Sequence, residues 1–153
     1  MPDTPTIRTG VNPVNAIAFG VCISGRSDSG ATDTIVKDAE SLSIALDNGI
    51  EEWNPMDMSG WVRRLMTSKS ITVSMGGKRN YGDPGNDYVA GLAYKNGQDC
   101  NSIFYIDFPN GDTLEFPCVI NVTSMGGDST AADALEWEAQ SDGEPTFTPY
   151  TAV

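Results

Sequence analysis

Hydrophobic and polar positions alternate along much of this chain, and the alternation breaks at glycine, proline and asparagine. In Ser70-Ile71-Thr72-Val73-Ser74-Met75 the apolar residues fall on every second position, which predicts a strand with one face to a core and one to a polar surface. Leu42, Ile44 and Leu46 alternate in the same way with Ser41, Ser43 and Ala45. Phe104, Ile106 and Phe108 form a third such run. Leu114, Phe116, Cys118, Ile120 and Val122 form a longer fourth, and Leu135, Trp137 and Ala139 alternate with Glu136, Glu138 and Gln140. Residues 16–23 are a short apolar run read as a first strand or a buried helical turn.

Turn chemistry separates these strands. Pro109-Asn110-Gly111-Asp112 is a strong hairpin signal, and Asp47-Asn48-Gly49 predicts another, because Asn-Gly tolerates the positive φ such turns need. Gly76-Gly77 and Gly126-Gly127 are read as strand ends, each in the sequence Ser-Met-Gly-Gly. Pro117, which has no N–H for the ladder, predicts an edge strand or a bulge. One helix interrupts the pattern. Asp83-Pro84 reads as cap and first residue, Val89, Leu92 and Ala93 follow at helical spacing, and Gly97 stands where a left-handed cap is needed. The fold expected is mainly β: two packed antiparallel sheets, a sandwich or an open barrel, with one short α-helix near 84–96. Residues 1–153 form a single domain, with proline-broken polar arms at about 1–13 and 141–153.

Three segments together carry a resemblance. GWVRRLMTSKSITVSMGGKRNYGDPGNDYVAG, FPNGDTLEFPCVINVTSMGGDST and SDGEPTFTP resemble, in that order, the major tail tube proteins of long-tailed, non-contractile (siphovirus-type) bacteriophages. The likeness covers roughly residues 40–149. It implies a structural virion protein, not an enzyme and without a cofactor. It also implies self-assembly into stacked, six-membered rings in the host cytoplasm, forming a tube through which DNA passes without specific binding. Tape measure and tail terminator proteins are then partners. In such a tube, Ser41, Ser43, Ser70, Thr72, Ser74, Glu136, Glu138 and Gln140 are lumen-facing candidates, since each lies opposite an apolar core position.

Charge sharpens this picture. The formal net charge is −12, and an acidic chain is repelled by phosphate. An acidic lumen would let DNA slide. Six of the nine basic residues lie within 61–97, whereas 96–153 holds ten acids and no lysine or arginine. Such a bipolar subunit suits head-to-tail contacts. Arg63, Arg64, Lys78 and Arg79 are therefore subunit-interface candidates, as are Phe147 and Tyr150 in the C-terminal arm. The competing reading pairs these charges within one chain.

Other chemistry finds little support. The chain has no histidine, so histidine triads and the commonest metal ligand are excluded. Cys22, Cys100 and Cys118 are odd in number and far apart, against a zinc site or a disulfide framework, and no metal is expected. No signal peptide is read at the N-terminus, and no stretch approaches a membrane span. Residues 24–33 are rich in oxygen ligands but lack the pattern of a helix-flanked calcium loop. Glu136 and Glu138 share a strand face, yet no third group completes a glycosidase site. The alternative function is a carbohydrate-binding β-sandwich with Trp53, Trp61 and Trp137 as its platform.

Overall fold

The computed structural model describes residues 8–26 and 34–150. Its strands are β1 (Ala18–Val21), β2 (Ala39–Trp53), β3 (Arg63–Lys78), β4 (Asn101–Asp107), β5 (Thr113–Gly126), β6 (Ala134–Ser141) and β7 (Thr146–Thr148). All belong to one antiparallel sheet, in the order β1-β4-β5-β6-β3-β2, with β7 beside the start of β5. The expected strands are all present. They form a single curled sheet rather than two separately hydrogen-bonded ones. The curl is visible at its two ends: Phe19 on β1 and Leu42 on β2 sit at opposite ends of the strand order, yet both pack against one core and line one cleft with Ile17 and Met75. An open barrel describes this better than a sandwich.

The core follows the alternation read from the sequence. Ile71, Val73 and Met75 of β3, Phe116, Cys118 and Ile120 of β5, and Leu135, Trp137 and Ala139 of β6 are all buried in it. Phe104 is its hub, with ring centroids 6.0 Å from Phe19, 5.7 Å from Phe116 and 6.0 Å from Trp137. Offset and edge contacts of this kind add to the burial term.

The helix α1 (Pro84–Gly91) closes the core with Val89 and Ala90, and a 3-10 turn over Leu92–Tyr94 extends it. Asp83 caps it as expected, its carboxylate accepting from Asn86 N at 3.0 Å. Gly97 does take a positive φ of 65°, but it opens a separate 3-10 turn, Gly97–Cys100, instead of ending α1. The hairpin at Asn110-Gly111 forms between β4 and β5, with φ 95° at Gly111, Gly111 N donating to Phe108 O and Asn110 Oδ1 accepting from Asp112 N.

Three expectations are corrected. No turn occurs at Asp47-Asn48-Gly49; β2 runs straight through it, and Gly49 stands beside a register shift opposite β3. Asn-Gly permits a turn, but here β3 offers a longer pairing partner and the ladder wins. Gly76-Gly77 lies inside β3 and does not end it, because the backbone at Asp38 passes so close that a Cβ on Gly77 would collide with its carbonyl oxygen. Pro117 sits on neither an edge strand nor a bulge. It faces the gap where the β6 ladder stops at Cys118–Ser141 and β7 has not begun, and its carbonyl accepts from Asp142 N at 2.8 Å. The missing N–H is harmless there.

Candidate assembly surfaces

Two surfaces stand out once the strands are in register. The first is a polar sheet face. Pairing places Ser43 beside Ser74 and Ser74 beside Glu138; Ala45 neighbours Thr72 and Thr72 neighbours Gln140; Asp47 lies opposite Ser70. Ser41 pairs with Gly76, and Gly76 with Glu136. The eight lumen-facing candidates thus share one continuous face across β2, β3 and β6. Thr72 and Glu138 are half-buried there and the other six are exposed. β5 widens the face through Asn121, whose amide donates to Glu138 Oε1 at 3.0 Å, while Gln140 donates to the same oxygen at 2.7 Å. Small hydroxyl-bearing side chains and a row of carboxylates make the surface smooth, wet and anionic.

The second surface is a ribbon. β6 pairs with β3 only from Thr72 onward, so residues 47–53 and 63–70 continue as two strands with no third among the described residues. Eight residues at strand rise carry this ribbon roughly 25 Å past the sheet. Its apolar side chains are largely in solvent: Ile50, Leu65, Met66 and Trp53 along the strands, and Met56, Met58 and Trp61 at the tip, where Met56 is fully exposed and Trp61 is 74% exposed. An isolated two-stranded ribbon is marginal in water, and an apolar one is costly to leave uncovered. The ribbon has only a weak signature in the sequence. The available signal was Leu65-Met66, two adjacent apolar residues that break the strict alternation of 71–75 and put apolar groups on both faces.

The basic interface candidates are mostly engaged within the chain. Arg63 lies over Trp53, its guanidinium carbon 6.0 Å from the ring centroid. Arg64 pairs with Glu52 at 2.7 Å and Lys78 with Glu40 at 2.8 Å, both in solvent. Arg79 is a structural residue. It pairs with Asp87 at 2.8 Å, donates to Asn86 Oδ1 at 2.9 Å and lies 4.1 Å from the Tyr81 ring centroid, with 13% of its side chain exposed. Its acidic partner is on α1, not in the acid-rich 96–144 region, so the local pairing accounts for its position. Phe147 and Tyr150 are about half exposed. Phe147 sits on β7 opposite Leu114, and Tyr150 N donates to Asp112 Oδ1 at 2.8 Å, so this segment lies along its own β5. Residues 1–7 and 151–153 of the two arms, and 27–33 of the oxygen-rich loop, fall outside the described residues.

Trp137 is 3% exposed in the core, while Trp53 and Trp61 are on the ribbon. The three tryptophans therefore form no common platform, and the carbohydrate reading loses its carrying feature. Among the described residues no cluster of three His, Cys, Asp or Glu is placed to hold a metal, and no helix is long and apolar enough to cross a membrane.

No protein-family model matches the chain, and no curated protein sequence matches it. Solved structures do match. One is a chain of the tail of an empty gene transfer agent particle refined with C6 symmetry, at TM-score 0.71 and 14% identity, covering 91% of this chain and all of that one. The chain has the fold of a gene transfer agent tail component. A chain of the virion of a native gene transfer agent particle matches equally well, at TM-score 0.72 and 13% identity over 91% of this chain and all of that one. This tail fold agrees with the tail tube resemblance read from the sequence.

Proposed function

We propose that the chain is the structural subunit of a phage-type tail tube, that copies of it close into rings, and that the rings stack around a channel that conducts DNA. Its work is assembly, with no catalytic step. The observation that carries this reading is the polar four-stranded sheet β2-β3-β6-β5 with an unpaired edge at each side. Among the described residues β2 has no strand on its outer side, and β5 beyond Val119 pairs with β6 alone. β2 is a long edge with no proline or lysine in it to discourage pairing. The four strands alternate in direction, so a simple rotation sets β5 of one copy antiparallel to β2 of the next. An even strand number keeps that alternation around a closed ring.

The C6 symmetry of the matched tail fits such a rotation, and supports a ring of six. In it, the eight polar residues of the sheet face line the bore. Carboxylates Glu136 and Glu138 repeat once per copy, so the wall repels phosphate and DNA passes without sticking. Partners at the tube ends would be other tail proteins, and the assembled product would be part of a virion.

Sedimentation velocity across a concentration series tests this reading. The 16.3 kDa chain should give a ring-sized or larger species that grows at the expense of the monomer as concentration rises. A single monomer boundary at every concentration contradicts it.

A further inference from the structure

We infer that Asn96 is a site of spontaneous covalent modification, converting through a succinimide to aspartate and isoaspartate, and that the fold selects it from three Asn-Gly pairs. This inference does not rest on the tube-subunit reading. The pairs are Asn48-Gly49, Asn96-Gly97 and Asn110-Gly111. Asn-Gly suits the reaction because glycine carries no side chain to shield its own nitrogen, and that nitrogen is the nucleophile. It must reach Cγ of the preceding asparagine, and the backbone must be free to turn into the ring.

Only the middle pair meets both conditions. Gly97 N donates to Asn96 Oδ1 at 2.8 Å, so the nucleophile already lies against the group it attacks. Cγ is one carbonyl bond from that oxygen, which puts it about 3–4 Å from the nitrogen and close to near-attack range. Asn96 is extended, at φ −140° and ψ 161°, so ring closure takes a rotation about its Cα–C bond. Gly97 can follow that rotation: it is exposed, at φ 65°, with open space where a Cβ would stand. The other two pairs are held. Asn48-Gly49 lies within the β2–β3 ladder, Gly49 packs on Ser68, and Asn48 Oδ1 accepts from Lys69 Nζ at 3.2 Å. At the β4–β5 turn Gly111 N is committed to Phe108 O at 3.0 Å. The Asn110 side chain there is turned towards Asp112, accepting from its N at 3.1 Å and donating to its Oδ2 at 2.9 Å. Both must open locally before they can react.

Base removes the proton from Gly97 N, and the nitrogen adds to Asn96 Cγ. The Cγ–Nδ2 bond breaks, ammonia leaves and a five-membered succinimide remains. Solvent water then opens the ring. Cleavage of the N–Cγ bond gives aspartate in the original backbone. Cleavage of the bond to the main-chain carbonyl gives isoaspartate, with the chain routed through Cβ and Cγ. Ammonia is exchanged for water, nothing is oxidised, and the chain gains one negative charge. The site lies in the exposed stretch 95–99, between buried Leu92 and buried Cys100, so the extra backbone atom of isoaspartate falls between the end of the helical region and the start of β4.

Ageing the full-length protein in mildly alkaline buffer tests this, with a parallel sample in denaturant. Peptide mapping by mass spectrometry measures conversion at the three asparagines, and enzymatic methylation specific for isoaspartate reports the rerouted backbone. In the folded protein Asn96 should convert roughly tenfold or more faster than Asn48 and Asn110, which wait on local opening. In denaturant the three rates should converge, because the sequence around each pair supplies the same nucleophile. Asn96→Gln, an exposed substitution whose ring closure would need six members, should abolish the early acidic species on isoelectric focusing. Conversion of Asn48 or Asn110 as fast as Asn96 in the folded protein overturns the inference. So does an undiminished lead of Asn96 in denaturant, which would assign the preference to sequence and not to the fold. Parent-like accumulation of acidic species in Asn96→Gln overturns it as well.

Discussion

Asn86 shows how a single residue fixes the geometry of this fold. It is 1% exposed, and its side chain is fully used: the amide donates to Lys37 O and Lys78 O, and the oxygen accepts from Asn80 N and Arg79. It thereby ties the start of β2, the end of β3 and the helix α1 together, with Asp83 bonding Lys37 N from the other side. Asn86→Ala leaves two carbonyls and two donors without these partners. A loss of about 3 kcal/mol is expected, at roughly 1–3 kcal/mol per buried group with partial rehydration. Thermal unfolding should drop by roughly 10 °C. Unchanged melting would show that the network is ornamental. Gly77→Ala should be at least as damaging, because the Asp38 carbonyl has nowhere to move without breaking the β2–β3 register.

Cys118 makes a pH prediction at the same scale. Burial pushes its thiol from 9.0 up to about 12, with nearby Asp142 adding to the rise and Arg26 opposing it. The folded state thus holds the proton where the unfolded chain releases it. The resulting stability is complete below pH 9 and is lost as pH climbs from about 9 towards about 12. Burial also raises the Tyr88 hydroxyl and adds to the alkaline loss. Cys118→Ala should therefore flatten, but not abolish, the fall in unfolding free energy across this range. A variant with the same alkaline slope as the parent would contradict the assignment to Cys118.

Elements were legible where one face is buried. The alternation of 71–75 and 135–140 and the long run of 114–122 located β3, β6 and β5, because burial of one face forces period two. Asp83-Pro84 located α1 through local backbone chemistry alone. The polar face was equally legible, since it is the complement of the core face, and all eight residues read from it fall together. What failed were positions where a distant partner decides. Nothing within Asp47-Asn48-Gly49 says that a sixteen-residue strand will pair across it. The closeness of Gly77 to Asp38 is likewise a long-range contact with no local signature. The intrachain partners of the basic candidates were not legible, because salt bridges to Glu52, Glu40 and Asp87 depend on register and helix placement.

The element-scale predictions follow from how each hairpin is supported. The Asn110-Gly111 turn is built on φ 95° at Gly111, which a β-branched residue resists. Gly111→Val should cost about 1–3 kcal/mol, and chemical denaturation of the variant measures it. The ribbon is supported far less, having solvent on both faces. Its amides at 50–53 and 63–66 should exchange with deuterium much faster than those of Ile71–Met75 in unassembled protein, and slow markedly on assembly. Equal protection of the two regions before assembly, or no slowing after it, would show that the ribbon has no partner in the assembled form.

At the scale of the whole molecule, the chain is a curled sheet that exposes a polar wall, two edges unpaired among the described residues, and an apolar arm. Each is awkward for a free monomer, and the proposed ring would resolve all three. The core and the polar face can be understood from one chain. The edges and the arm would gain partners from copies beside it in the proposed ring. Salt acts weakly in this account, because Arg64 and Lys78 are already paired in solvent and such pairs contribute little. Assembly should depend more on the apolar tip than on ionic strength.

The central claim is tested most directly by electron microscopy of the purified, concentrated protein, with two-dimensional averaging of what it forms. The account predicts hollow rings or tubes with six-fold end views, and a bore lined by β2, β3, β6 and β5 when the averages are carried to a reconstruction. Compact monomers at all concentrations, or an assembly with the Ser43–Ser74–Glu138 face buried between subunits, would contradict it.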